Sequence, residues 1–216
     1  MWTLLAAALL APQSAVDRNY HCWDREDVSQ PCWADIRALY AAPPIDEVAA
    51  QGTWTRRIFL LDLVGRINLG SRGHGIQAGM ISIEQRGDED PVLTYRPARD
   101  DRGAGPALVT PLPREDWAAV LAMTTGYPQT GSSGAGICIH GWDVLVEAAD
   151  PAASGGPVVR RYVSTCRDLV GVALADRLTA VLVRAFPRCG QPPRGDELWF
   201  RVDWLYRCSV SGRGLP

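Results

Sequence analysis

Lysine is absent: all 22 basic residues of the 216-residue chain are arginine. That excludes Schiff-base chemistry, a P-loop lysine and a Ser-Lys dyad, because each needs a side-chain amine. No Cys-x-x-Cys pair occurs either, which removes thioredoxin-like redox chemistry and the common zinc-finger spacing. Charge of one sign is not in excess: 24 acidic residues against 22 basic ones give a net charge of −2. The electrostatic footprint of a nucleic-acid or membrane-surface partner is therefore missing.

Two glycine-rich stretches also fall short of a motif. Gly131-Ser132-Ser133-Gly134-Ala135 has alanine where the last glycine of a G-x-S-x-G nucleophile elbow belongs, and it precedes a strand pattern. Gly73-His74-Gly75 with Gly79 misses the spacing of the dinucleotide fingerprint and leads into a strand, without the helix terminus that would cradle a phosphate.

What is present points to a compartment. Trp2 to Ala11 is an almost unbroken apolar run followed by Pro12, Gln13, Ser14 and Ala15, which reads as a secretory signal over residues 1–15 despite the lack of a basic residue ahead of it. The run is too short to span a membrane, since about 20 apolar residues are needed and the chain turns polar at Asp17. Six cysteines follow, Cys22, Cys32, Cys138, Cys166, Cys189 and Cys208. Together with the leader they predict a disulfide framework in a periplasmic or secreted protein. Six cysteines permit 15 pairings; sequence neighbours are the expected ones, Cys22 with Cys32, Cys138 with Cys166 and Cys189 with Cys208.

The residues after the leader, 16–216, are expected to form a single α+β domain. Helical spacing marks Trp33 to Tyr40, a short turn covers Ile45 to Ala50, and Thr53 to Val64 reads as a buried strand. Met80 to Gln85 and Pro91 to Arg96 flank a turn and predict a hairpin, Arg99 to Pro111 reads as loop, and Pro113 to Met123 as helix. After a Gly/Ser-rich linker, Tyr127 to Gly136, the order repeats. Strands at Ile137 to Ala148 and Val158 to Thr165 precede a helix from Arg167 to Phe186, with Val170, Leu174, Leu178, Val181, Leu182 and Ala185 on one face. Two hairpin-helix halves, 53–126 and 137–188, with a C-terminal segment 189–216, predict a mainly antiparallel sheet covered by helices, a disulfide-stapled two-layer sandwich. Glu197 to Ser209 fits strand and helix periodicity equally well; Asp196 and Glu197 before it and Arg207 and Gly212 near its end favour helix.

Chemistry-bearing residues are few. His21 with Asp24 and His140 with Asp143 form two His-x-Trp-Asp tetrads, and His and carboxylate together suit metal binding or acid-base work. His74 would supply a third histidine. On a strand, however, residues three apart face opposite ways, so His140 and Asp143 cannot share a ligand, and His140 reads as packed beside Cys138 and Trp142. No cofactor is implied. Arg56-Arg57, Arg160-Arg161 and the cluster Arg96, Arg99 and Arg102 are candidates for carboxylate or phosphate recognition. Adjacent arginines on a strand point to opposite faces, so surface ion pairing is the expected role. Of the eight tryptophans, Trp23, Trp33, Trp54, Trp117 and Trp142 are expected to fill the core.

Two function classes remain. One is a secreted or periplasmic disulfide-containing binding module with no enzymatic activity, whose partner lies in the envelope or outside the cell. The other is a small hydrolase, with or without a metal, built around His21, His74, His140 and nearby carboxylates. Fold alone does not separate them.

Overall fold

A computed structural model describes residues 32–62, 76–99, 103–126, 130–133, 142–151, 156–165, 169–191 and 198–211. Two short helices, Cys32–Leu39 (α1) and Ile45–Ala50 (α2), lead into the strand Thr53–Asp62 (β1). The strands Ile76–Arg86 (β2) and Val92–Arg96 (β3) form the expected hairpin, followed by the two-residue strands Ala98–Arg99 (β4) and Gly103–Ala104 (β5). Next come Leu108–Pro111 (β6) and the helix Arg114–Thr125 (α3), then Thr130–Ser133 (β7), Trp142–Asp150 (β8), Val158–Thr165 (β9), Leu169–Ala185 (α4) and Leu198–Ser211 (α5).

Seven strands form one sheet in the order β6-β3-β2-β1-β8-β9-β7. The first six are antiparallel and β7 runs parallel to β9. Strands of the first hairpin-helix half occupy one side of the sheet and β8 and β9 the other, joined along the β1·β8 seam. The fold is thus α+β, with a mainly antiparallel sheet covered by helices.

Strand β1 is central, and its aliphatic run Ile58-Phe59-Leu60 is buried on both faces. Its even residues meet α3, α4 and α5. Ile58 and Leu60, with Ile81, Ile83, Val144 and Val146 from the neighbouring strands, pack on Trp117 and Val120 of α3, Leu174, Leu178 and Leu182 of α4, and Val202 and Leu205 of α5. Full burial of each such side chain contributes about 1.5–3 kcal/mol. On the opposite face Phe59 meets Tyr40 with ring centroids 5.8 Å apart, and Ile45 and Ala49 of α2 cover Ala149. That second cover stops at β1, β8 and β9. Beyond it Val92 of β3 and Val109 of β6 are 41% and 55% exposed, so the sheet has one sealed face and one half-open face.

Gly79 explains a local irregularity. The β1–β2 register shifts between Leu60 and Leu61, and a Cβ on Gly79 would stand 2.6 Å from the Tyr95 ring and 2.9 Å from the Arg96 carbonyl oxygen. Only glycine allows β3 to lie that close.

Several expectations are corrected here. The stretch Arg99 to Pro111 is not all loop, because β6 pairs with β3 as an edge strand and tolerates Pro111 at its end. The linker Tyr127 to Gly136 contains β7, whose polar Thr130-Gly131-Ser132-Ser133 run is held to β9 by backbone pairing and carries no apolar alternation. Strand β8 continues two residues past Ala148, so Asp150 belongs to the strand and not to the following connection. Segment 198–211 is a helix, with Leu198, Val202, Leu205 and Cys208 buried and Trp199 and Tyr206 exposed.

Cys189 and Cys208 stand at disulfide distance, with Cα atoms 5.3 Å apart, and tie α5 to the turn after α4. Cys32 opens α1, while Cys22, Cys138 and Cys166 lie outside the described residues, as does the leader 1–15. Among the described residues no helix is long and apolar enough to cross a membrane.

Candidate anion-binding site

The chemistry-bearing residues that the fold assembles are arginines and carboxylates in the middle of the sheet. Registers along β1·β8·β9 place Arg57 opposite Glu147 and Glu147 opposite Arg161, while Arg56 and Arg160 both stand opposite Ala148. Each Arg-Arg pair is therefore split between the two faces, and β8 sets one carboxylate beside the arginines of each face, Asp150 on the sealed face and Glu147 on the half-open one. The expectation of surface ion pairing is wrong for Arg56 and Arg57, whose side chains are 0% and 1% exposed. The reason is position: β1 is flanked by β2 and β8 and covered by helices on both faces at that height.

On the sealed face Arg56 has an oxygen close to every nitrogen, with Nη2 held by an ion-pair contact and not by a hydrogen bond. Nε donates to Thr124 Oγ1 at 2.6 Å, Nη1 to the carbonyls of Thr55 and Ala149 at 3.0 and 3.1 Å, and Nη2 lies 2.6 Å from Asp150 Oδ1. The guanidinium also sits 5.8 Å from the centroid of the Trp117 ring. Arg160 closes on the other oxygen of Asp150. Burial pulls Arg56 below its ordinary pKa, opposed by the charge of Asp150.

The half-open face is looser. Glu147, wholly buried, takes a 2.6 Å hydrogen bond from Arg37 and has Arg161 and Arg57 at 3.5 and 3.8 Å. Burial raises the Glu147 pKa against the pull of those guanidiniums. Arg161 also pairs with Asp46 of α2 at 2.7 Å. Arg57 donates from Nη1 to the Pro43 carbonyl at 2.5 Å, but its Nη2 makes no hydrogen bond and pairs with Glu84 Oε1 only at 4.0 Å. Desolvation lowers the Arg57 pKa as well.

Arg57 lines a pocket of about 160 Å³ at the step where the helical cover ends. Its floor is three strands wide: Arg57, Ser82 and Thr94 form one row across β1, β2 and β3, Met80 and Arg96 a second, Glu84 and Val92 a third. The wall is the α1–α2 connection, Tyr40 to Pro43. Ala41 in that wall has φ 51°, the only positive value for a non-glycine residue among the described residues. Such a conformation costs on the order of 1–3 kcal/mol and clusters at functional sites. Among the described residues no carboxylate pairs with Arg96. Tyr40 is held protonated by burial, its pKa well above the usual phenol value. The arrangement presents cationic forks and hydroxyls to a space of several waters' size, a setting for a small anion.

Of the residues singled out from the sequence, His21, His74, His140, Asp24 and Arg102 lie outside the described residues. Asp143 is placed in β8 opposite Leu61 and Thr165, and Arg99 in β4. Among the described residues no group of three His, Cys, Asp or Glu side chains could hold a metal ion. Trp117 is buried and Trp54 packs against the core as expected. Sequence reasoning missed Glu147, Asp150, Ser82, Thr94 and Glu84. A signal was available for the first two: charges embedded in the apolar runs of β1 and β8, opposite in sign, have to find each other if both strands are buried. Comparison with protein-family models, with curated proteins and with solved structures finds no match to this chain.

Proposed function

We propose that the protein is a non-enzymatic binding module of an oxidising compartment, periplasmic or secreted, that holds a small ligand by an anionic group in the pocket between the α1–α2 connection and strands β1, β2 and β3. The observation that carries this reading is Arg57: a buried guanidinium in the lining of the pocket, with an Nη2 that makes no hydrogen bond. A buried donor left unmet costs about 1–3 kcal/mol, and a ligand oxygen would recover that loss on binding. Arg96 and the Ser82 and Thr94 hydroxyls add donors on the same floor. Titration of the whole protein with 3-methylbutanoate, followed by calorimetry, should give saturable binding that Arg96→Met weakens about tenfold, the factor of one charge-assisted contact. No binding of any small carboxylate would overturn the reading.

The compartment has its own support and its own test. Cys189 and Cys208 stand paired, and a disulfide persists where thiols are not kept reduced. Thiol titration of the denatured protein, taken from its native compartment without reductant, should find few free thiols. Six reactive thiols would place the protein in a reducing compartment.

A further inference from the structure

The pocket carries both signs of charge, in an ion pair too long for a hydrogen bond. Glu84 Oε1 faces Arg57 Nη2 at 4.0 Å, beyond hydrogen-bonding reach. Arg57 is pinned behind the pocket by the Pro43 carbonyl, and Glu84, with its side chain 42% exposed, stands on the solvent side of the same space. The two charges are loosely paired side by side along the pocket, an arrangement that a second pair of opposite charges complements. A plain carboxylate would satisfy Arg57 but set a second negative charge beside Glu84. A ligand with an ammonium next to its carboxylate would satisfy both.

The geometry points to an α-amino acid zwitterion as the ligand class of this pocket, an inference that rests on reading the pocket as an anion-binding site. The carboxylate docks on Arg57 and Arg96, the ammonium on Glu84 with the Ser82 and Thr94 hydroxyls alongside, and Met80 faces a short aliphatic side chain. A phosphate dianion is disfavoured by Glu84, which repels two charges more than one.

Three probes separate the parts of the idea: L-valine, its deaminated analogue 3-methylbutanoate and its decarboxylated analogue 2-methylpropylamine, each titrated into the whole protein. L-valine should bind about tenfold or more tightly than 3-methylbutanoate, and the amine should not bind measurably. Glu84→Gln, at a half-exposed position that leaves the core untouched, should abolish the preference for L-valine while keeping 3-methylbutanoate binding. Equal affinity for the two, or an unchanged preference in Glu84→Gln, overturns the zwitterion and leaves the anion pocket standing. Failure of both to bind removes the pocket reading and this inference with it.

Discussion

Arg56 and Arg57 are chain neighbours on the central strand, equally buried, and they are used in different ways. Arg56 has every nitrogen within 3.1 Å of an oxygen and a tryptophan ring beside it, under the full cover of α3. Arg57 has one short bond, two carboxylates at 3.8 and 4.0 Å, and an Nη2 that makes no hydrogen bond. The difference lies in the covering layer and not in the strand. Over Arg56, α3 adds the Thr124 hydroxyl to the oxygens that β1 and β8 supply; over Arg57 the cover ends at β1, and Nη2 is buried without a hydrogen bond in a side chain at the pocket's edge. A buried ion pair is weak evidence for stability, since desolvation offsets much of the attraction, so the loosely bonded arginine is the one whose presence asks for a ligand.

The largest expected effect comes from Glu147, the one carboxylate that Arg37 and Arg161 share behind Arg57. Glu147→Leu leaves three guanidiniums facing an apolar side chain and should destabilise the fold by about 5 kcal/mol in denaturant melts, the upper end for breaking a buried pair. Glu147→Gln keeps an oxygen for Arg37 and should cost less. Because burial raises the Glu147 pKa in the folded state, the native protein holds its proton at pH values where the unfolded chain has lost it. Stability from this group is therefore fully present below the ordinary carboxylate value and lost as pH rises through the folded pKa. Relative to Glu147→Gln, the wild type should lose ground across that window. A wild type that gains ground with rising pH would show that the arginines outweigh burial, and that the half-open face is as tightly paired as the sealed one.

Much of the fold was legible because its signals are periodic. The α4 stripe Leu174, Leu178, Val181 and Leu182 is buried as its spacing required, and β9 spans the residues that alternation marked. Segment 198–211 fits both periodicities; it is a helix whose first turn holds no acidic and whose last turn no basic residue, so the charges that favour helix in the sequence are not in its terminal turns. Strands β6 and β7 escaped because each is a four-residue edge strand held by backbone hydrogen bonds, a contribution that leaves no mark on side-chain pattern. The pocket escaped for a different reason. Alternation told which face Arg56 and Arg57 take, but not that β1 lies between β2 and β8, and burial follows from strand order across the sheet. Glu84, Ser82 and Thr94 look like ordinary outward residues until the edge of the α1–α2 cover is placed beside them.

The comparison reduces to one paired measurement: denaturant stability and 3-methylbutanoate affinity of Arg56→Met and Arg57→Met beside the wild type. Arg56→Met should cost about 3 kcal/mol, because Asp150 keeps Arg160 but Thr124 and two carbonyls lose their donor, and the surviving folded protein should bind the carboxylate within about twofold of wild type, no contact to the ligand having been removed. Arg57→Met should cost only about 1–2 kcal/mol and abolish saturable binding. If Arg57→Met proves as destabilising as Arg56→Met and still binds the carboxylate with wild-type affinity, the two arginines serve the same structural purpose and the pocket is not the binding site.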